Sequence, residues 1–527
     1  MIDTGDALLD QLIDGLLMDS FYETVDEVTY TFGLTAGFAV DEGWSMLNEA
    51  MIDRHLQIFA EVTAFTGLKF TEVDALKQDA DLYFGFSEGT ATAYVQDFNG
   101  GVLHVYNPDR NMPILGSYVD HLILHELGHG LGLKHGHDDG ALPEAYQGHS
   151  WSVMSYRSHP NTNSLYFGNE HGPETYMLAD IAALQYQFGA NFDARADDTL
   201  YEVNFNTGEL LINGESQGVP LNEKTQRAIW DGGGVDTLDL SNGKDDMTIN
   251  LQPGAFTSFG DSFLPDATGE GEYFAEGNLA NPYLYDGNIS SLLEIAVGGG
   301  FRDLIIGNLL NNTLTGGNGE DSLYGMEGND TLNGGHDNDL IIDGLGNTTA
   351  SGGADEDVIA ALSGTGHLEG NGSDDVLIGG IDADYLSGGN GNDKIRGEGG
   401  RGLLFGNDVI IGGEDDDLLM GGRGADQFVF RPDDGNDTIA GFIVGEVATA
   451  ANRAIEPAFA DFMVGMDTVM LTGFLDVDAT NVMGFVTDGD DGAIFSTQDT
   501  TITFYGISAN TLTADDFVFQ GAGYVFA

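Results

Sequence analysis

The stretch GGGFRDLIIGNLLNNTLTGGNGEDSLYGMEGNDTLNGGHDNDLII, residues 298–342, divides into five blocks of nine. Each block opens on glycine, carries Asp or Asn at its sixth position and has Leu or Ile at its eighth. A glycine-rich acidic turn followed by one inward apolar residue describes a strand–turn unit, and a fixed period of such units marks a stacked repeat. Counted onward, twelve units run to Phe405, six residues (406–411) break the frame, and two more units follow, making fourteen. The eighth position is Leu, Ile or Phe in every unit except at Ala350. A flexible linker has no reason to place a bulky apolar residue at every ninth position. The period therefore predicts a parallel β-roll with calcium in its turns.

In a two-sided roll, successive turns alternate edges, so units i and i+2 share one. The sixth positions of the odd units up to the break are Asp303, Asp321, Asp339, Asp357, Asp375 and Asp393; Asp417 and Asp426 hold that place in the last two units. The even units carry Asn312, Asp330, Thr348, Gly366, Asp384 and Gly402. One edge is therefore expected to hold an unbroken calcium ladder and the other a patchy one. Four units place Asp at a usually glycine fourth position (Asp337, Asp355, Asp382, Asp415), where a left-handed backbone is expected.

The bulk numbers agree with a cation-dependent chain. Seventeen Lys+Arg stand against 86 Asp+Glu, a formal net charge of −69. Such a chain repels nucleic acid and anionic membranes and is strained by its own charge unless cations neutralise it. With no cysteine, disulfides, thiolate zinc sites and cysteine nucleophiles are all excluded. MIDTGDALLDQLIDGLLMDS at the start carries acids where a secretory signal needs a basic end, so export without an N-terminal signal is expected. No apolar run reaches membrane-spanning length.

Toward the N-terminus the pattern is mixed. VTYTF reads as a strand, residues 42–66 as a long helix, then KFTEV and DADLYFGF as strands. TYMLADIAALQYQFGA (175–190) has helical apolar spacing and a glycine stop. Between these lies HLILHELGHGLGLKHGH (121–137). His121, His125 and His129 share one helix face, but the outer two lie about 12 Å apart along the axis, so one ion can use only an adjacent pair. Gly132 lets the helix end and the chain swing back, which brings His135 within reach as a third ligand. The filled pattern is HExxHxxGxxH: His125, Glu126, His129, Gly132, His135. His121 reads as a packed histidine and His137 as a loop one.

With SVMSY (152–156) downstream, the chain resembles serralysin-type secreted zinc metalloproteases of the metzincin clan. The likeness continues through TYMLADIAALQYQFGAN, WDGGGVDTLDLS and LLEIAVGGGFRDLIIGN into the repeats. The resemblance implies zinc on His125, His129 and His135, Met154 beneath it, and Tyr156 as a switchable zinc ligand that stabilises the oxyanion. It gives Glu126 the role of general base for water attacking a peptide carbonyl. Substrate would lie extended along an edge strand, for which GTATAYVQ (89–96) is the candidate. The family's calcium ligands would fall on Arg195, Asp197, Thr199, Asp231, Gly233, Gly234, Asp236 and Glu294, with Asp197 standing for a family glycine and Leu292 for a family threonine.

The expected fold is an α+β metzincin-like zinc protease domain followed by an all-β parallel β-roll / β-sandwich domain. The boundaries read 1–27 prosegment, 28–194 protease domain, 195–297 β-rich connecting part of the C-terminal domain, 298–430 RTX roll, and 431–527 a β region with the secretion signal. For 1–27, a helix that stays docked is the other reading. The tail TLTADDFVFQGAGYVFA (511–527) resembles those read by type I secretion systems. Partners implied are protein or peptide substrates, that secretion machinery and a proteinaceous inhibitor, with no nucleic acid and no membrane span. Cofactors implied are one catalytic zinc and several structural calcium ions. The competing reading is a calcium-folded adhesin or surface-layer protein with a vestigial protease domain. A lipase would depend on GFSEG (85–89), where a strand follows instead of the helix a nucleophile elbow needs.

Overall fold

The computed structural model describes residues 4–18, 25–33, 44–74, 79–88, 90, 93–98, 101–138, 142–162, 172–267, 271–398, 406–440, 467–497 and 499–520. They form two compact units, divided between Ile295 and Ala296.

The first unit opens with helix α1 (Ala7–Leu16), whose N-cap Asp6 accepts from the amides of Leu8 and Leu9. Its sheet is built from β1 (Glu27–Thr31), β2 (Trp44–Ser45), β3 (Lys69–Glu72), β4 (Leu82–Ser87), β5 (Ala93–Phe98) and β6 (Gly101–Tyr106). The order is β3-β1-β4-β6-β5, with β2 paired to β4. The β1/β3, β1/β4 and β4/β6 pairs are parallel, while β5 runs antiparallel to β6 at the edge. Helices α2 (Glu49–Thr66), α3 (Tyr118–Gly130) and α4 (Leu178–Phe188) complete the core. Ile58 and Val62 of α2, Ile123, Leu124 and Leu127 of α3, and Leu178, Ile181 and Leu184 of α4 pack with Leu82, Phe84 and Phe86 of β4. Each such side chain contributes about 1.5–3 kcal/mol on leaving water.

The helix expected over 42–66 starts later. Asn48 caps it, accepting from the amide of Met51 at 2.9 Å, and Trp44–Ser45 are instead a strand against Ser87 and Phe86. Asn48 therefore ends the helical pattern, because its side chain competes for the first-turn donors. α4 stops where expected, at Gly189. Ser87 of GFSEG ends a strand, and Gly89 lies outside the described residues. Residues 195–295, most of the span expected to connect to the C-terminal domain, lie in the first unit.

The second unit is mainly a parallel β-roll, with the strands Val486–Asp488, Gly492–Ser496 and Thr500–Tyr505 paired antiparallel near its end. One sheet stacks strands such as Thr313–Asn318, Asp330–His336, Thr348–Gly353, Gly366–Gly372 and Tyr385–Asn390; the other stacks Leu304–Ile306, Ser322–Tyr324, Leu340–Asp343, Val358–Ala361 and Val376–Gly380. Partners within a sheet are eighteen residues apart, as in Leu314↔Leu332 and Ile305↔Leu323, so alternate units share an edge. Thirteen of the fourteen eighth-position residues are buried in the roll, Leu323, Ile359 and Leu386 fully, and the other, Leu404, lies outside the described residues.

The register corrects the repeat frame. Tyr385 pairs with Val409 and Leu386 with Ile410, a spacing of 24 residues rather than 18. The extra six residues therefore fall between Gly397 and Asp408, not after Phe405. Asp408, not Gly402, occupies the sixth position of the twelfth unit, and Ile410 its inward position. Of the four fourth-position acids, Asp337, Asp355 and Asp415 are left-handed (φ 69°, 74° and 78°), whereas Asp382 is not.

Candidate metal centre

Helix α3 carries the first two histidines. Ser117 caps it, accepting from the amide of Asp120 at 3.3 Å, and the Asp120 carboxylate takes the guanidinium of Arg54 at 2.5 Å, pinning α3 to α2. One turn separates His125 and His129, so their rings project from the same face. The helix ends at Gly130, and Gly132 (φ 96°) turns the chain back through Leu133 and Lys134 to His135.

One ring nitrogen of each histidine is engaged from outside. Nδ1 of His125 donates to the Val153 carbonyl at 2.8 Å, Nδ1 of His129 donates to the Leu133 carbonyl at 2.8 Å, and Nδ1 of His135 lies 3.3 Å from an Asp138 carboxylate oxygen. These bonds fix the tautomer and leave the Nε2 atoms facing inward. Ligand atoms of the three rings lie within 4.8 Å of one another, and Nε2 of His129 is 3.1 Å from Nε2 of His135. That separation is near the edge of a tetrahedron with zinc–nitrogen bonds of about 2.0–2.1 Å. Burial, then mutual repulsion, keeps the rings neutral: His125 is pushed down to about 3, and burial brings His129 to about 4. Neutral imidazoles are the ligand form. The donor set fits one zinc ion.

Glu126 is buried beside this cluster, and burial raises its carboxyl to about 7. Tyr156 has its ring 4.5 Å from that of His135 and 5.5 Å from that of His125. Its hydroxyl is pushed above its ordinary value, first by burial and then by the Glu126 charge. Met154 is fully buried under α3, and its sulfur would lie 2.5 Å from a Cβ placed on Gly128, so glycine alone admits it there. His121 is buried against the ring of His149 at 4.4 Å. His137 is exposed, stacked on His135 at 5.1 Å and near Tyr156 at 4.7 Å. β5 is an edge strand, though residues 89, 91 and 92 of the candidate substrate strand lie outside the described residues.

Two positions the sequence reading passed over support this cluster. Asp138 was visible as an acid three residues past His135. Asp180 sits in the first turn of α4, fully buried, and accepts from Ser152 Oγ (2.6 Å) and from the amides of Val153 (2.8 Å) and Met177 (3.0 Å). It thereby holds the loop whose Val153 carbonyl orients His125.

A second set of acids meets in the same unit. Asp231 and Asp236 are buried, with Glu294 donated to by the Asp236 amide at 2.8 Å. Asp236 Oδ1 accepts from the Thr199 amide, while its Oδ2 is buried without a hydrogen-bond partner. Burial, then the Asp231 charge, raises Asp236 to about 8. Gly234 lets this loop approach closely: a Cβ there would lie 2.8 Å from the Asp197 carbonyl. The Arg195 guanidinium donates to the Trp230 carbonyl. Thr199 Oγ1 donates to the Asp197 carbonyl.

The roll repeats one arrangement along each edge. The amides of Asp303, Asp321, Asp339, Asp357, Asp375 and Asp393 each donate to Oδ1 of the next acid, ending at Asp417, whose amide reaches Asp437. The Oδ2 atoms of Asp321, Asp339, Asp357, Asp375, Asp393, Asp417 and Asp437 are buried without hydrogen-bond partners. The other edge carries Asn312, Asp330, Thr348 and Gly366, then an acidic run through Asp384, Asp408 and Asp426 to Asp467. Orphaned oxygens recur there at Asp330, Asp384, Asp408 and Asp426. A buried oxygen without a donor is costly unless a cation meets it. The first-position residue explains why: a Cβ on Gly316 or Gly388 would fall onto Oδ2 of Asp321 or Asp393. That glycine is replaced in two units only, by Asp343 and Ala361, and these are the units whose sixth position is Thr348 or Gly366. Where the sixth position is neither Asp nor Asn, the need for open space in front of it is lost; Asn312, which keeps its side-chain oxygen there, keeps Gly307 as well.

Comparison with known proteins follows the same division. Residues 190–262 match the family model "Peptidase M10 serralysin C terminal". Residues 306–341, 369–404 and 405–428 match "RTX calcium-binding nonapeptide repeat (4 copies)". The metallopeptidase AprA of Pseudomonas marginalis is 34% identical over 252 residues, 45% of this chain and 47% of that protein. The metalloprotease AprA of Pseudomonas entomophila (strain L48) is 31% identical, covering 53% and 56%; serralysin of Proteus mirabilis is 29% identical, covering 55% and 60%. The chain thus spans about half the length of the curated relatives it matches. These matches bear out the resemblance to serralysin-type metalloproteases with RTX repeats. A solved structure, the extracellular lipase LipA from Serratia marcescens, aligns at TM-score 0.21 and 17% identity over 42% of this chain and 40% of that one, which carries no argument.

Proposed function

We propose that this chain is a secreted, zinc-dependent endopeptidase whose second unit is stabilised by calcium. The carrying observation is the convergence of three neutral imidazoles, each braced at its outer nitrogen, beside a buried carboxyl and a tyrosine. Zinc, when held by His125, His129 and His135, supplies Lewis acidity to a peptide carbonyl and to water. Glu126, next to His125 on α3 and buried, takes the proton that water loses on attack, then delivers it to the departing amine. Its raised affinity for a proton suits that exchange near neutral pH. Tyr156, its ring 4.5 Å from that of His135, donates its hydroxyl to the oxyanion of the tetrahedral species in this reading. An extended substrate strand pairs with the open edge of β5.

Calcium neutralises the orphaned carboxylate oxygens of the roll and of the Asp231–Asp236–Glu294 loop. The acid pattern supports an unbroken ladder on the Asp303–Asp437 edge, and an interrupted one opposite, missing at Thr348 and Gly366. A chain whose roll folds only where calcium is abundant suits type I export to an extracellular setting, and no helix among the described residues is long and apolar enough to cross a membrane. The testing experiment is casein hydrolysis with and without a zinc chelator, beside Glu126→Gln. Hydrolysis stopped by both changes supports the reading; hydrolysis that survives both refutes it.

A further inference from the structure

His125 and His129 owe their placement to helix α3, but His135 comes from beyond it, so its position depends on whatever holds the returning turn. The turn itself contributes bonds up to Leu133: the Gly132 amide donates to the His129 carbonyl at 3.1 Å, and that of Leu133 to Gly128 at 2.9 Å. Past that point the Gly136 amide donates to the Met154 carbonyl at 3.4 Å, and further holding groups come from the end of α1, more than a hundred residues earlier in the chain. The Lys134 amide donates to the Leu16 carbonyl at 2.7 Å, the Met18 amide donates to the Gly132 carbonyl at 3.0 Å, and Leu17 bridges Leu133 in antiparallel fashion.

The other flank of His135 is tied to the same place. The Leu142 amide donates to the Gly136 carbonyl at 2.9 Å, and Gly15 sits so close to Leu142 that a Cβ on it would lie 3.0 Å from that amide nitrogen. A Cβ on Gly136 would be 2.8 Å from Leu142 Cδ1 and 3.8 Å from Leu16 Cδ2. The helix is itself anchored: Leu12 and Leu16 are fully buried in the core of the first unit, and Ile13 packs with Ala182 of α4. A ten-residue helix does not persist in water alone, so this packing is what keeps it formed.

We infer that Gly15–Met18 is a positioning clamp for the third metal ligand: the end of α1 fixes the backbone on both sides of His135, and so sets the chain's affinity for zinc. The inference rests on the zinc reading above. It gives the N-terminal helix a sign opposite to that of a removable cover. Cutting the chain between Met18 and Val25 and releasing the helix would weaken metal binding rather than expose an active site.

The test uses the full chain, calcium-loaded. Met18→Pro deletes the amide that meets Gly132, at a place where Leu17 (ψ 140°) already has the conformation a following proline requires. Met18→Leu keeps that amide. Gly15→Val crowds Leu142, whose amide holds Gly136, while keeping the Leu16 carbonyl and the Met18 amide that meet the turn. Zinc affinity is read by competition with a chromophoric chelator, and coordination by the visible spectrum of the cobalt-substituted protein. Met18→Pro and Gly15→Val should each weaken zinc binding about tenfold or more, the range for losing an outer support of a metal ligand, and alter the cobalt bands; Met18→Leu should match the parent. Unchanged affinity and spectrum in folded Met18→Pro and Gly15→Val overturn the clamp. Loss of the whole fold in both also overturns it, since the segment would then act through global stability. His135→Ala separates the two claims: if it leaves zinc affinity intact, the zinc reading fails; if it lowers affinity while the clamp variants do not, only the clamp fails.

Discussion

Replacing Asp357 by Asn probes the calcium ladder with a change of a single atom. Oδ1 of Asp357 accepts from the Asp339 amide at 2.8 Å, and Asn retains that acceptor. What changes is Oδ2, buried and without a hydrogen-bond partner, which becomes a neutral amide nitrogen. The two forms of the protein should respond in opposite directions. With calcium at about a hundredfold excess over its Kd, losing one ion forfeits about 2.7 kcal/mol. For a unit of this size, a loss of 1 kcal/mol lowers Tm by roughly 2–4 °C, so the variant should melt about 5–10 °C lower in calcium. With calcium chelated, the parent must bury a carboxylate that burial already pushes up to about 6, while Asn buries no charge. There the variant should be at least as stable as the parent. Calorimetric melts of both chains in calcium and in chelator test this. Thr348→Val serves as control: it deletes the bond to Asp343 and should lower Tm equally in both conditions. An equal drop for Asp357→Asn with and without calcium would refute the reasoning, since the residue would then serve only its hydrogen bond.

Three further outcomes are expected. In the calcium-free chain, burial raises Asp321, Asp375, Asp417 and Asp437 to about 8, so the folded state holds protons more tightly than the unfolded one; stability of the second unit should fall as pH rises from about 4 to about 8, and saturating calcium should reverse that slope. Gly128→Ala should cost about 1–3 kcal/mol by melting and weaken zinc binding, because its Cβ meets the Met154 sulfur. Asp180→Ala should weaken zinc binding roughly 10- to 100-fold by chelator competition, because the loop that presents the Val153 carbonyl loses its two hydrogen bonds to that carboxylate, from Ser152 Oγ and the Val153 amide.

The parts legible in the sequence were those written by local periodicity. Nine-residue spacing specified the alternation of edges, and the HExxHxxGxxH spacing brought His125, His129 and His135 together, because one helical turn and one glycine bend are local events. The frame break was misplaced because counting in nines is blind to an insertion that leaves Gly397 and Asp408 facing each other. NDVII after residue 406 had the form of the repeat's second half and was the available signal. The start of α2 was misjudged because Trp44 and Ser45 continue an apolar rhythm locally, and only a strand forty residues away makes them a strand. Val153, Leu133 and Leu16 contribute carbonyl groups, which every residue possesses, so no residue type announces them. Asp180 announced itself only as a helix-start acid, its commoner role.

The central claim is tested most directly by zinc K-edge X-ray absorption on the purified full chain, beside His135→Ala. The account predicts one zinc per chain with three imidazole nitrogens at about 2.0–2.1 Å, falling to two in the variant. Absent zinc, or an imidazole count that His135→Ala leaves unchanged, would contradict it.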